Sequence, residues 1–227
     1  MTLKIHRECL APKGWSVLKK LRGPLSKHEF VLAGGTALAL WMGHRISYDL
    51  DFFTLHNFRN DALILEIKKT TRDYQVISEE EGSLTLEIEG IKVSFFKYEY
   101  PFIAEIARWE QTKLAGILDI AAMKIIAINQ RGVKRDFVDF YAILQQIPFH
   151  IVARHTVMRF GKERINPVQT GKSLVYFADA DTNPDPAYRK GRELNWDHIK
   201  KFFRAHVKQY VLDLEVARKN HVSNRLS

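Results

Sequence analysis

A single cysteine, Cys9, excludes a disulfide framework and fits a reducing cytoplasm. Long apolar runs are missing too. The stretch "FVLAGGTALALWMG" (30–43) is fourteen residues with three glycines and runs straight into His44 and Arg45, too short for a membrane span. The opening "MTLKIHRECLAPKGW" lacks the uninterrupted apolar segment and small-residue cleavage site of a secretory signal. The expectation is therefore a cytoplasmic protein with no membrane partner. No low-complexity tract, internal repeat or run of six like charges occurs, and the nine histidines show neither HExxH nor Cys-His ligand spacing.

What is present is ample for a folded core: 227 residues, 46% of them apolar. Thirty-five Lys and Arg against twenty-six Asp and Glu give a net charge of +9, the balance of proteins that meet polyphosphate, though many basic proteins bind no nucleic acid. Hydrophobic periodicity changes character along the chain. Residues 30–33 read as a strand, 36–43 as a helix, 48–54 as a second strand and 60–72 as a helix with an Asn or Asp start. "YQVISEE", "SLTLEIEG" and "IKVSFFKY" then alternate as strands, with turns at Gly82 and Gly90. From Pro101 onward the pattern is mainly helical. This predicts an α+β protein, with an α/β core over 1–100 and a mainly helical region over 101–227.

The first strand–helix junction carries chemistry. In "AGGTAL" Gly34 and Gly35 permit unusual φ values and close backbone approach, and Thr36 is placed to cap the next helix. Amide groups at such a helix N-terminus favour an anion, so the turn is a candidate phosphate seat. In "YDLDFF" strand alternation puts Asp49 and Asp51 on one face, about 6.5–7 Å apart at Cα, with Tyr48, Leu50 and Phe52 on the other. Two carboxylates so close are unfavourable unless protonated, well hydrated or bridged by a cation, and Mg²⁺ is the natural bridge because phosphate oxygens can complete its octahedron.

A Gly-Gly turn at the head of a helix, followed ten to fourteen residues later by Asp-x-Asp on the next strand, resembles the active-site signature of the DNA polymerase beta-like nucleotidyltransferases. More narrowly, "GGTALAL" with "GHRISYDLDFF" and the later "AAMKIIAINQRGVKRDFVDFY" resembles the AbiEii/AbiGii nucleotidyltransferase-like toxins of bacterial abortive-infection and toxin–antitoxin systems, over roughly residues 30–145. The resemblance implies a nucleotidyltransferase-like mixed sheet flanked by helices, with the helical C-terminal region closing the cleft. It implies that Gly34, Gly35 and Thr36 hold a nucleoside triphosphate, with Arg45 beside them, and that Asp49 and Asp51 bind Mg²⁺ or Mn²⁺. Lys124 matches the family's helix lysine, which supplies a cation to the triphosphate. Asp136 matches the first aspartate after arginine in its Arg-Asp-x-x-Asp segment, with Arg135 and Asp139 beside it. The implied reaction is transfer of a nucleotide from an NTP to an acceptor, RNA or the 3′ end of a tRNA, and the implied partner is a cognate antitoxin.

One departure stands out. The superfamily usually supplies a third carboxylate from a neighbouring strand, and here "GIKVSFF" places Ser94 there; a hydroxyl is neutral and a poor Mg²⁺ ligand, leaving Glu87 or Glu89 as substitutes. The alternative to an active enzyme is a weak or inactive nucleotide- or RNA-binding or protein-interaction member. For Lys124, the spacing of Ile120, Met123, Ala127 and Ile128 sets it at the border of an apolar stripe. It is read either as a structural partner of Asp136 or as an active-site cation, whose truncation leaves the melting temperature within a few degrees while weakening triphosphate binding tenfold. "TGKS" (170–173) is not a P-loop, because Asn166 replaces its first glycine and Pro167 interrupts it. "DADTNPDP" lacks the turn glycine and closing glutamate of a calcium loop. The basic residues of 196–220 read as a solvated face, with RNA contact as the competing reading.

Overall fold

The computed structural model describes residues 5–223, which divide into two compact units, one ending at Gly116 and the other beginning at Ile117. The first is built on a seven-stranded sheet. Its strands are β1 (Val31–Leu32), β2 (Leu50–Thr54), β3 (Tyr74–Glu80), β4 (Ser83–Ile88), β5 (Ile91–Lys97), β6 (Ala107–Trp109) and β7 (Thr112–Leu114), in the spatial order β3-β4-β5-β2-β1-β7-β6. β2 runs parallel to β5 and β1 parallel to β7; the other neighbours are antiparallel. The helices are α1 (Pro12–Lys20), α2 (Arg22–Lys27), α3 (Gly34–Met42) and α4 (Asn60–Lys68).

One face of this sheet seals the core. Leu50 and Phe52 of β2, Val93 and Phe95 of β5, and Leu84 and Leu86 of β4 are wholly buried, as strand alternation requires. Phe30 adds an edge contact to Phe52 and a tilted one to Phe95, with ring centroids 6.5 and 5.1 Å apart. Tyr48 does not join this face. β2 starts at Leu50, so Tyr48 lies ahead of the ladder and is exposed.

The first unit extends past the boundary expected near residue 100. Two three-residue strands, β6 and β7, follow there, and β7 pairs in parallel with β1, so residues up to Gly116 belong to the sheet. Strands this short carry too few residues for a period-2 pattern to show.

The second unit is helical: α5 (Ile117–Arg131), α6 (Lys134–Leu144), α7 (Phe149–Phe160), α8 (Pro167–Leu174), α9 (Ala178–Asp181) and α10 (Trp196–Ser223). Its core is aromatic, with Phe137, Phe140 and Phe203 wholly buried and Phe149 stacked on Tyr210 at 4.0 Å. "TGKS" lies inside α8, where Gly171 permits close approach to α10: a Cβ there would stand 2.5 Å from Val211 Cγ2. The glycine is a packing residue rather than a phosphate turn. The start of "DADTNPDP" lies in the short helix α9, with Thr182 as its C-cap, and Asp181 accepts hydrogen bonds from Trp196 Nε1 (2.6 Å) and Lys200 Nζ (3.0 Å). Among the described residues, no helix is long and apolar enough to cross a membrane.

Candidate nucleotide site

The glycine turn and the Asp-x-Asp segment meet at the centre of the first unit's sheet. β1 ends at Leu32, the amide of Ala33 donates to the carbonyl of Asp51 (3.0 Å), and α3 begins at once with Gly34. Gly34 has φ +64°, a conformation that favours glycine, and a Cβ added to it would stand 3.1 Å from Asp51 Oδ2. Glycine therefore serves two needs at this position: the backbone turn and the space occupied by a carboxylate. The first-turn amides of α3 have no carbonyl one turn back within the helix, and this N-terminus lies beside Asp51.

Thr36 does not cap this helix. The N-cap residue is Ala33, and the buried Thr36 hydroxyl instead lies 2.7 Å from Ser47 Oγ and donates to the main-chain oxygen of Asp49. Its side chain braces the approach to the first aspartate, so only its backbone remains suited to a phosphate. Arg45, also buried, donates to the carbonyl of Ile46 (3.0 Å). Asp49 and Asp51 are both half-buried.

Ser94 sits where the third carboxylate was expected. In the parallel β2–β5 ladder Asp51 pairs with Ser94, so their side chains share the face opposite the core. Ser94 is 3% exposed, and its Oγ accepts from Thr85 Oγ1 at 3.3 Å. Neither proposed substitute replaces it. Glu89 is a turn residue with φ +53° and is bonded to Lys20, Ser16 and Thr71, and Glu87 pairs with Lys92, two ladder spacings from β2. Among the described residues, no group of three or more His, Cys, Asp or Glu side chains is arranged to hold a metal ion. The pair Asp49 and Asp51, beside a glycine cradle that a Cβ would fill, still suits Mg²⁺ or Mn²⁺, which takes one or two carboxylates and finishes its shell with phosphate and water.

Lys124, Asp136 and Asp139 meet within the second unit. Lys124 Nζ lies 2.8 Å from Asp136 Oδ1 and 2.5 Å from Asp139 Oδ2, and Arg131 Nε donates to Asp136 Oδ2 at 3.0 Å. Both aspartates are wholly buried and Lys124 is 5% exposed, more deeply enclosed than Met123, which the spacing had put in the core. Burial alone would raise the Asp136 carboxyl; the charges of Lys124 and Arg131, and their hydrogen bonds, outweigh it and hold the group below its ordinary value. Arg135 of the same segment is exposed.

A sequence model described as "Nucleotidyl transferase AbiEii toxin, Type IV TA system" matches residues 16–115, which lie within the first unit. An uncharacterized protein of Aquifex aeolicus (strain VF5) is 34% identical over 188 residues, covering 81% of this chain and 89% of its own. The chain belongs to the AbiEii nucleotidyltransferase toxin family. Solved structures show the same fold. JHP933 from Helicobacter pylori aligns over 96% of this chain and 99% of its own, with TM-score 0.52 and 19% identity. MenT4, a nucleotidyltransferase toxin from Mycobacterium tuberculosis H37Rv, aligns over 90% and 88%, with TM-score 0.52 and 17% identity.

In this AbiEii protein two further polar groups escaped the sequence reading. Ser47, the partner of Thr36, precedes the strand in "ISYDLDFF" and carries no motif. Asp119 is wholly buried and faces His155 Nε2 (2.8 Å) and Arg159 Nη1 (3.5 Å), partners on α7 that lie thirty-six and forty residues along the chain from it. Only a helical apolar stripe interrupted by Asp119 signals it.

Proposed function

We propose that this AbiEii protein transfers a nucleotide from a nucleoside triphosphate to an acceptor hydroxyl, with Asp49 and Asp51 as its metal ligands. The observation that carries the reading is the contact between Gly34 and Asp51. It sets a helix N-terminus beside a carboxylate, the combination of backbone amides and metal ligand that a metal-bound triphosphate requires. A divalent cation held by Asp49 and Asp51 would supply charge neutralisation at the phosphates and the reacting oxygens. Gly34, Gly35 and the Thr36 backbone bind the phosphate chain, while the Thr36 side chain holds the Asp49 carbonyl and so fixes the approach of the first ligand. Arg45 supports the same segment from within the core. The net charge of +9 favours an RNA acceptor, tRNA included, and the family's toxin–antitoxin context favours a cognate antitoxin.

Ser94 favours a second reading, that of a slow or inactive nucleotide binder. A hydroxyl cannot act as the third anionic ligand or take the acceptor's proton at neutral pH. Incubation with each labelled triphosphate, Mg²⁺ and total bacterial RNA separates the two: label entering RNA supports the transferase. Ser94→Asp is expected to raise that incorporation. No incorporation by either protein, with Mg²⁺-dependent triphosphate binding intact, selects the binder. Lys124 and Asp136 enter this reading as scaffold of the second unit, because the lysine's charge is already shared between two buried carboxylates.

A further inference from the structure

The face of the sheet that carries Asp51 also carries a row of aromatic rings that the proposed chemistry leaves unused. Alternation along β2 puts Phe53 next after Asp51 on that face. On β5 the matching residues are Ser94 and Phe96, since Asp51 pairs with Ser94 and Phe53 with Phe96. Tyr98 prolongs the row beyond the strand, its amide donating to the carbonyl of Thr54 at 2.8 Å. Phe53 and Phe96 stack with centroids 5.2 Å apart and planes at 29°; Tyr98 meets Phe53 edge-on at 5.4 Å, and Tyr100 meets Tyr98 at 5.6 Å. All four rings are half-buried. The core has its own aromatic pair on the opposite face, Phe52 and Phe95, stacked at 5.6 Å and fully enclosed. The outer row is therefore not what seals the interior, and it keeps apolar surface in contact with solvent.

Position gives the row its meaning. Phe53 follows Asp51 by two residues, about 6.5–7 Å along the strand, a separation comparable to that between a nucleotide's phosphate and its base. Aromatic side chains stack on the π-face of any base, so such a platform adds affinity without choosing base identity. The geometry points to Phe53 and Phe96, extended by Tyr98, as a stacking platform for a nucleobase whose phosphate lies at Gly34 and Asp51. This rests on the nucleotide reading of that site. The base belongs either to the donor triphosphate or to the terminal nucleotide of the acceptor, and both present the same ring face to the platform.

Three probes on the full-length protein test it: 2-aminopurine riboside triphosphate, a short single-stranded RNA ending in 2-aminopurine, and inorganic tripolyphosphate, each with Mg²⁺. The parent is expected to quench the fluorescence of one of the first two probes, which identifies the donor or the acceptor as the source of the base. Phe96→Leu and Phe53→Leu should weaken that probe about tenfold and leave tripolyphosphate binding unchanged, which also shows that the variants are folded; Phe96→Trp, which keeps a ring, should retain the quenching. Absence of quenching of both probes by the parent, or unchanged affinity for both in the two leucine variants, overturns the platform. Tripolyphosphate carries no base, so a parent that binds it without regard to Mg²⁺ counts against the Asp49 and Asp51 site, while the quenching still decides the platform.

Discussion

Replacing Lys124 by methionine keeps most of the side chain's volume and removes its charge. Its ammonium lies between Asp136 (2.8 Å) and Asp139 (2.5 Å), both wholly buried, and Arg131 contributes a second cation to Asp136 alone. Removing one partner of a buried ion pair costs about 3–5 kcal/mol, because the remaining charge is stranded in a low-dielectric interior. Arg131 still satisfies Asp136, which puts the expected cost at the lower end, about 3 kcal/mol. At roughly 2–4 °C per kcal/mol for a chain of this size, the melting temperature should fall by about 6–12 °C. The active-site reading of Lys124, which the family resemblance implies, instead expects a shift of only a few degrees, so the measurement separates the two. Differential scanning calorimetry of the parent and Lys124→Met checks it. A melting temperature within about 2 °C of the parent would refute the argument, since a penalty of about 3 kcal/mol allows no such small shift.

The same cluster sets a pH dependence. Asp136 is held below its ordinary value in the folded state, so its contribution is fully present above the unfolded carboxyl range, near pH 4, and is lost as pH falls through the folded value. Lys124→Met takes away one of the two charges that hold it there, the lysine's. The stability gap between parent and variant should therefore narrow as pH drops below about 5, where a protonated, neutral carboxyl costs less to bury without a cation. A gap that stays constant from pH 7 to pH 4 would show that lost packing, not charge, sets the penalty.

Three further substitutions address other junctions. Gly34→Ala forces a side chain into φ +64° with its Cβ 3.1 Å from Asp51 Oδ2; roughly 1–2 kcal/mol of strain and a loss of triphosphate affinity are expected, read by melting and calorimetry, and no change in either refutes the shared-space argument. Asp51→Asn should abolish most of the Mg²⁺ dependence of tripolyphosphate binding, whereas equal affinity in the parent with and without Mg²⁺ removes Asp51 as a ligand. Gly171→Ala places a methyl 2.5 Å from Val211 Cγ2 and should cost about 1–3 kcal/mol of stability, relieved by Val211→Ala in the same chain; an unaltered melting curve means α8 and α10 are not in tight contact there.

The stretches whose periodicity is long and regular were legible before any coordinates. β3 spans the seven residues of "YQVISEE" although all but Tyr74 are exposed, and α3, α5, α6 and α10 fall where apolar spacing put them, because a half-buried helix repeats its pattern over enough residues to be counted. The Gly-Gly turn and the Asp-x-Asp segment were legible as well, since backbone freedom and paired carboxylates are properties of the residues themselves. Periodicity alone could not decide which strand lies beside which; only the family resemblance put the Ser94 strand beside the aspartates. The parallel β2–β5 register that sets Ser94 next to Asp51, and the β1–β7 pairing that carries the first unit to Gly116, are hydrogen bonds between segments forty or more residues apart. Tertiary packing likewise assigned Thr36 to Ser47 and the Asp49 carbonyl instead of to a helix cap, and drew Lys124 inward between two aspartates. A polar group's role depends on which partners reach it once water is excluded, and those partners are supplied by the fold rather than by neighbouring residues.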